Sequence, residues 1–152
     1  MASVDGLVAG GLRATLRLLL KPALSPRWPV PRQRRWLERL SGIDRWPRGI
    51  ARTRGAPGGV PAECWLEAGV APVREGAVLY LHGGGFVVGS LESHDAICAE
   101  IADGVGAELT AVDYRLAPEQ PFPAGLEDCA AAVRWVAAFA GDHGWDPDRL
   151  AI

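Results

Sequence analysis

The chain has 152 residues, of which 49% are hydrophobic and 22% are charged, a composition typical of a single globular domain. This composition excludes an intrinsically disordered chain, which would be poor in apolar residues. The three cysteines, Cys64, Cys98 and Cys129, are odd in number and form no CxxC pair, which argues against a disulfide framework and a zinc site. We therefore expect reduced thiols in a cytoplasmic protein. No uncharged apolar run reaches the roughly 18 residues that a membrane span needs, so no membrane span is expected.

Charge is distributed unevenly along the chain. Residues 1–54 carry a balance of +9 and residues 55–152 carry −11, within a net charge of −2. A basic segment of this kind is found in arms that bind nucleic acid or membrane surfaces. Here the arginines alternate with apolar residues, which favours two segments that pack together and neutralise each other. We therefore expect no nucleic-acid partner.

Two amphipathic helices are predicted before residue 45. In residues 4–20 apolar side chains recur every three or four positions, with Arg13 and Arg17 on the opposite side. A second helix is predicted to begin near Pro31, because a proline is tolerated in the first turn, and to end at Gly42.

From residue 48 onwards the pattern changes to short strands and longer helices. Two strands flanking a turn rich in glycine and proline are typical of an antiparallel hairpin, and the later alternation of strand and helix is typical of a parallel sheet. The sequence therefore predicts an α/β fold. The predicted strands are 50–53, 62–66, 78–81, 109–114 and one that begins at 150, and the predicted helices lie near 93–105 and at 122–140.

The helix near residue 93 has two candidate N-caps, Ser90 and Ser93, since both are serines that precede the apolar periodicity. Its spacing predicts that Ile97, Ile101 and Val105 point inward.

The strongest local motif follows the strand at 78–81 and reads His82-Gly83-Gly84-Gly85-Phe86-Val87-Val88-Gly89. Consecutive glycines reach backbone conformations closed to other residues and place no side chain in the way of a ligand. Their N–H groups can converge on an anion, such as the oxygen that becomes negative when an ester carbonyl is attacked. The alternative interpretation is a flexible glycine turn without a binding role. A phosphate-binding loop is disfavoured, because GxxxxGK[ST] and GxGxxG are absent and the only lysine is Lys21.

Further landmarks follow in order, and together with the glycine motif they resemble the hormone-sensitive-lipase family of α/β-hydrolases. These landmarks are Ser93-His94-Asp95, Asp113-Tyr114-Arg115-Leu116-Ala117-Pro118-Glu119, Pro121-Phe122-Pro123-Ala124 and Glu127-Asp128. The resemblance implies cap helices at 1–45 and the N-terminal half of an α/β-hydrolase domain at 46–152, truncated before the nucleophile elbow. It implies hydrolysis of small-molecule carboxylic esters with short or medium acyl chains through a serine acyl-enzyme, with no cofactor and no metal.

The resemblance also implies roles for the glycine loop. Gly84 and Gly85 match positions whose N–H groups bind the oxyanion. Gly83 and His82 match residues that shape the loop, and His82 is expected to bond nearby backbone rather than to act as the catalytic base.

The neighbouring side chains match supporting positions. Phe86 and Val87 match the border of the acyl pocket, although apolar residues beside a strand are equally typical of a core. Arg115 is expected to form a buried ion pair with Glu119 or Asp113 that holds their loop.

The chain departs from the family pattern at the nucleophile. An α/β-hydrolase carries Gly-x-Ser-x-Gly on a strand-to-helix turn, followed by an acid and a histidine. None of the serines lies in that frame, and His143 precedes the expected nucleophile in chain order. We expect the 152-residue chain alone to be inactive. A non-catalytic binding module, and a fragment that complements a separate C-terminal half, are the open alternatives, and a homo-oligomer is also open.

Overall fold

A computed structural model describes residues 14, 15, 17, 18, 21, 25–41, 47, 49–67 and 76–152. The first predicted helix, 4–20, falls largely outside these residues, and the positions described within it are helical. The second predicted helix is confirmed as α1 (Val30–Ser41), although its predicted end at Gly42 lies outside the described residues. Within the described ranges, no helix has the length and apolar character needed to cross a bilayer.

Within the described residues, five strands form one mixed sheet, namely β1 (Ile50–Gly55), β2 (Ala62–Glu67), β3 (Ala77–Tyr80), β4 (Glu108–Val112) and β5 (Leu150–Ala151). Their order across the sheet is β1-β2-β4-β3-β5. The first three neighbours, β1, β2 and β4, are paired antiparallel, whereas β3 lies parallel to both β4 and β5. The predicted α/β class and the antiparallel hairpin are therefore confirmed, and β5, the strand that begins at 150, pairs with β3.

Two helices cover the two faces of this sheet, namely α2 (Leu91–Val105) and α3 (Ala124–Phe139). Successive residues of a strand point to opposite faces. In β3, Leu79 belongs to the core cluster under α3, whereas Val78 packs against the cluster under α2. The sheet is therefore buried on both sides, which is why its central strands are nearly continuous in apolar residues.

The N-terminus of α2 is closed by a reciprocal pair of serines. The hydroxyl of Ser90 accepts from the Ser93 N–H at 3.1 Å, and the hydroxyl of Ser93 accepts from the Ser90 N–H at 2.8 Å. This capping box satisfies two backbone donors that the first turn of a helix would leave unpaired. Ser90 is thus the N-cap, and the helix begins at Leu91.

The inward face of α2 differs from the prediction. Ile97 is 50% exposed, whereas Cys98 and Ala99 are fully buried against a cluster that contains Trp65. Ile101 packs at the side of that cluster. The prediction for Ile97 was wrong because it followed side-chain hydrophobicity alone. The small residues face the sheet, and they let the helix approach the bulky indole closely.

The loop after β4 is fastened to α3 through Arg115 and Asp128. The Asp128 carboxylate accepts from the Arg115 backbone N–H at 2.9 Å, from Nε at 2.8 Å and from Nη2 at 2.7 Å. The predicted pairing of Arg115 with Glu119 or Asp113 was therefore wrong. The pair is also less buried than expected, since the Arg115 side chain is 47% exposed. The hydrogen bonds from Arg115 hold the pKa of Asp128 below its usual value.

Asp128→Asn should destabilise the chain by about 1–3 kcal/mol, because it removes a charged acceptor and leaves the Arg115 donors poorly paired. A carboxylate with a depressed pKa stabilises the fold above the pKa of the unfolded chain, and this contribution is lost as pH falls through the folded pKa. The difference between wild type and variant should hold from pH 7 to 5 and shrink below about pH 4.

Urea denaturation at pH 7, 5 and 3 measures this difference. Glu127→Gln is the matched control, because Glu127 is 65% exposed and lies 3.8 Å from the guanidinium. Its effect should stay below about 0.5 kcal/mol. An Asp128→Asn penalty that persists unchanged at pH 3 would contradict the assignment.

Candidate active site

Two loops meet at the carboxyl edge of the parallel strands. One is the glycine loop, residues 82–89, which follows β3, and the other is the segment 113–119, which follows β4. Parallel neighbours release their loops at the same edge of a sheet, where ligands of α/β proteins commonly bind. A hydrogen bond of 2.8 Å from the Ala117 N–H to the Phe86 carbonyl joins the two loops directly.

The backbone of the glycine loop requires glycine at specific positions. The φ angle is +132° at Gly84, +63° at Gly85 and +101° at Gly89, a region that disfavours other residues. A Cβ on Gly84 would collide with the Val88 carbonyl oxygen. Phe86 is the one non-glycine residue of positive φ, at +59°, in the part of the chain that the structure describes. Strained backbone of this kind often occurs at functional sites.

The loop closes on itself and leaves several of its N–H groups unused, among them those of Gly84 and Gly85. The Gly84 carbonyl accepts from the Val87 N–H at 3.2 Å and from the Val88 N–H at 3.1 Å. The N–H groups of Gly84 and Gly85 have no acceptor among the described residues. Backbone donors held in a fixed turn without an internal partner can bind an anion.

His82 is buried beneath the loop and is only 4% exposed. Its ring stacks on Tyr114 at a centroid distance of 4.3 Å, and its Nδ1 lies 2.9 Å from the Gly83 carbonyl oxygen. Because that oxygen can only accept, Nδ1 carries the proton. The Tyr114 hydroxyl in turn donates to the His82 carbonyl at 2.6 Å. Burial lowers the pKa of His82, so the ring is neutral near pH 7.

An apolar cavity of about 380 Å³ opens beside Gly85 and Phe86. Phe86 is 52% exposed there, and Phe122 is 84% exposed. Gly125 gives room to this arrangement, since a Cβ on it would lie 3.1 Å from the Phe86 ring and 2.6 Å from the Arg115 carbonyl oxygen. The remaining lining residues are Arg115, Ala117, Gln120 and Leu126. Val87 does not line the cavity, and its carbonyl points instead to a guanidinium from α1.

That guanidinium belongs to Arg34, a residue that no motif in the sequence indicated. Its Nε donates to the Val87 carbonyl at 2.9 Å and its Nη2 to the Ala117 carbonyl at 2.9 Å. Nη1 and Nη2 also donate to the two carboxylate oxygens of Glu119 at 3.0 and 2.9 Å, which lowers the pKa of Glu119. No sequence signal distinguishes Arg34 from the other arginines of α1.

A serine–histidine contact is present at the start of α2, where Ser93 Oγ lies 3.0 Å from His94 Nδ1. Ser93 Oγ also accepts from the Ser90 N–H and donates to the Ser90 carbonyl at 3.0 Å, so it is committed to the helix cap. The neighbouring Asp95 accepts from Trp65 Nε1 at 3.2 Å and pairs with Arg52 at 3.4 Å. This serine therefore has the contacts of a capping residue rather than those of an activated nucleophile.

No group of three or more metal-ligating side chains occurs within the described residues.

Comparison with known proteins agrees with this geometry. A family model described as alpha/beta hydrolase fold matches residues 78–152, which include both loops. The chain is 53% identical over 75 residues to esterase LipI of Mycobacterium tuberculosis, covering 49% of the chain and 23% of the relative. It is 49% identical over 75 residues to carboxylesterase NlhH of the same species, covering 49% of the chain and 24% of that relative.

Among solved structures, the chain is similar to an esterase from the bacterial hormone-sensitive lipase family. The two share 38% identity and a TM-score of 0.74, over 93% of this chain and 46% of that one. The chain thus spans about half the length of this solved relative and about a quarter of the length of the two sequence relatives. In sequence and in structure, the chain is therefore similar to the hormone-sensitive-lipase family of α/β-hydrolases.

Proposed function

We propose that this chain supplies the oxyanion hole and part of the acyl pocket of a carboxylesterase. The observation that carries the proposal is the pair of N–H groups on Gly84 and Gly85, which lack an acceptor among the described residues. They lie in a turn of enforced shape beside an apolar cavity. The names of the relatives support ester hydrolysis as the reaction.

The reaction is the attack of a serine hydroxyl on an ester carbonyl. The carbonyl oxygen gains negative charge as the tetrahedral intermediate forms, and N–H groups already aimed at it stabilise that charge without reorganisation. The Gly84 and Gly85 N–H groups play this part. Gly84 and Gly85 are exposed residues in the loop that follows β3, so an ester would approach them from the solvent side.

The acyl chain of the substrate occupies the cavity that Phe86 lines. A volume of about 380 Å³ and a lining that includes Phe122 and Leu126 suit a short or medium apolar acyl group. Val87 acts indirectly, since its carbonyl bonds to Arg34 and the residue does not line the cavity. His82 and Gly83 shape the loop, because the neutral imidazole donates to the Gly83 carbonyl.

The nucleophile, the acid and the catalytic base come from residues that this sequence does not contain. Residues 46–152 then form the N-terminal half of the hydrolase domain, and residues 1–45 form helices of its cap. A serine acyl-enzyme mechanism of this kind needs no metal and no organic cofactor.

The 152-residue chain alone should not hydrolyse esters, because none of its serines lies in a Gly-x-Ser-x-Gly frame. Purified chain is assayed with p-nitrophenyl acetate and butyrate, before and after treatment with a serine-reactive phosphonate. The expected result is no phosphonate-sensitive turnover and no labelled serine. Labelling of Ser93, the serine in contact with His94, together with loss of turnover would show that the capping serine is a nucleophile after all.

The oxyanion role is tested in a chimera that continues the chain with the C-terminal part of an active relative. Gly84→Val should lower kcat by about a hundredfold or more, because removal of one oxyanion donor costs roughly 2.7–4 kcal/mol and this change displaces two. KM should change less, since the contact strengthens mainly in the transition state. Steady-state kinetics on p-nitrophenyl butyrate measures both values.

Gly104→Ala is the control for adding a methyl group, because a Cβ at Gly104 in α2 meets nothing within 4 Å. His82→Ala should cost less than Gly84→Val, since the ring supports the loop and transfers no proton. An active Gly84→Val variant beside an inactive His82→Ala variant would reverse the assigned roles.

A further inference from the structure

We propose that Arg34 is a positioning residue for the oxyanion hole, and that it sets the direction of the Gly85 N–H from the N-terminal helix α1. This inference rests on the proposed function, because it concerns the same donors. Arg34 lies 53 residues from Val87 and 83 residues from Ala117 along the chain, yet its side chain bonds to the carbonyls of both. One side chain therefore ties α1 to both loops of the site.

The contacts require a guanidinium. All three of its nitrogens donate, Nε to Val87, Nη1 to Glu119, and Nη2 to both Ala117 and Glu119. The rigid planar fork fixes these directions at once, whereas a lysine ammonium presents its donors from a single atom. The Arg34 side chain is only 22% exposed, so water competes little for the carbonyl oxygens.

Two rigid peptide units transmit the position of Arg34 to the proposed donors. The carbonyl of Val87 and the N–H of Val88 belong to one planar peptide unit. Its oxygen accepts from Arg34 at 2.9 Å, and its N–H donates to the Gly84 carbonyl at 3.1 Å. That carbonyl shares a second planar unit with the Gly85 N–H. A fixed Val87–Val88 peptide therefore limits the rotation of the Gly84–Gly85 peptide, and this limits the direction in which the Gly85 N–H points.

The second loop reinforces the same path. The Ala117 N–H donates to the Phe86 carbonyl at 2.8 Å, while the Ala117 carbonyl accepts from Arg34. Arg34, Val87, Phe86 and Ala117 thus form a closed ring of backbone and guanidinium contacts. Glu119 forms an ion pair with the guanidinium of Arg34 and neutralises its charge. The two neutral carbonyls that the guanidinium contacts could not balance this charge alone.

Hydrogen–deuterium exchange of the 152-residue chain, read by mass spectrometry, tests the path directly. Arg34→Gln and Arg34→Lys should both speed exchange at least tenfold in peptides covering 84–89 and 114–120, where the Val88 and Ala117 amides lose support. Exchange in β4, residues 108–112, should not change. The matched control is Arg35→Gln, because Arg35 is an exposed arginine of the same helix with no ion pair to a described residue.

Further variants separate the role of Arg34 from general stability. Glu119→Gln should give a smaller increase in the same peptides, since Arg34 keeps both carbonyl contacts. If Arg34→Gln also loses protection in β4, the variant has unfolded. Arg34→Lys and Glu119→Gln then test the proposal by faster exchange in the loop peptides with unchanged exchange in β4. Wild-type exchange in the loop peptides of Arg34→Lys would overturn the proposal.

Kinetics in the chimera gives a readout that a purely stabilising residue would not change. Arg34→Lys and Arg34→Gln should lower kcat about tenfold or more with little change in KM, because small misplacements of catalytic groups are costly. Arg35→Gln should leave both constants unchanged. An unaltered kcat in the Arg34 variants would overturn the proposal. An inactive wild-type chimera would instead count against the proposed function, and the exchange result would then decide the role of Arg34 alone.

Discussion

Leu79 lies opposite Thr110, and Tyr80 lies opposite Ala111, in the parallel ladder between β3 and β4. Because the two strands run in the same direction, the glycine loop and the segment 113–119 leave the sheet side by side. The contact between Phe86 and Ala117 follows from this adjacency. The apolar cavity and the contacts of Arg34 in turn depend on the pair of loops, so the strand pairing determines where both lie.

Features encoded within a few neighbouring residues could be predicted from the sequence. The strands, the α/β class and a cap at Ser90 or Ser93 all depend on local periodicity and on residues that lie close together in the sequence. The glycine motif is equally local, because positive φ angles at Gly84 and Gly85 require the residue types that stand there. Face assignment was less reliable. The side chain of Ile97 is exposed because the size of the residues facing Trp65, rather than their hydrophobicity, determines which face of α2 packs.

Contacts between distant residues could not be predicted in the same way. Arg115 pairs with Asp128, thirteen positions away, although Glu119 and Asp113 are nearer in sequence. Glu119 pairs with Arg34, from which it is separated by 85 positions. In each case the packing of the helices against the loop determines which carboxylate lies next to the arginine. The sequence alone offers several arginines and carboxylates that could pair. Only the three-dimensional arrangement distinguishes them.

The charges around the glycine loop also bear on how an oxyanion could be stabilised there. Arg34 is paired with Glu119, and Arg115 is paired with Asp128, so these two guanidinium groups contribute little net charge. Burial lowers the pKa of His82, and its neutral ring donates to the Gly83 carbonyl rather than towards a substrate. Under the proposed function, stabilisation of the oxyanion by a neighbouring cation would therefore be weak, and backbone dipoles would supply most of the stabilisation. Dipoles act strongly only when they are already aligned, so the many contacts that hold this short turn support the proposed role of its N–H groups.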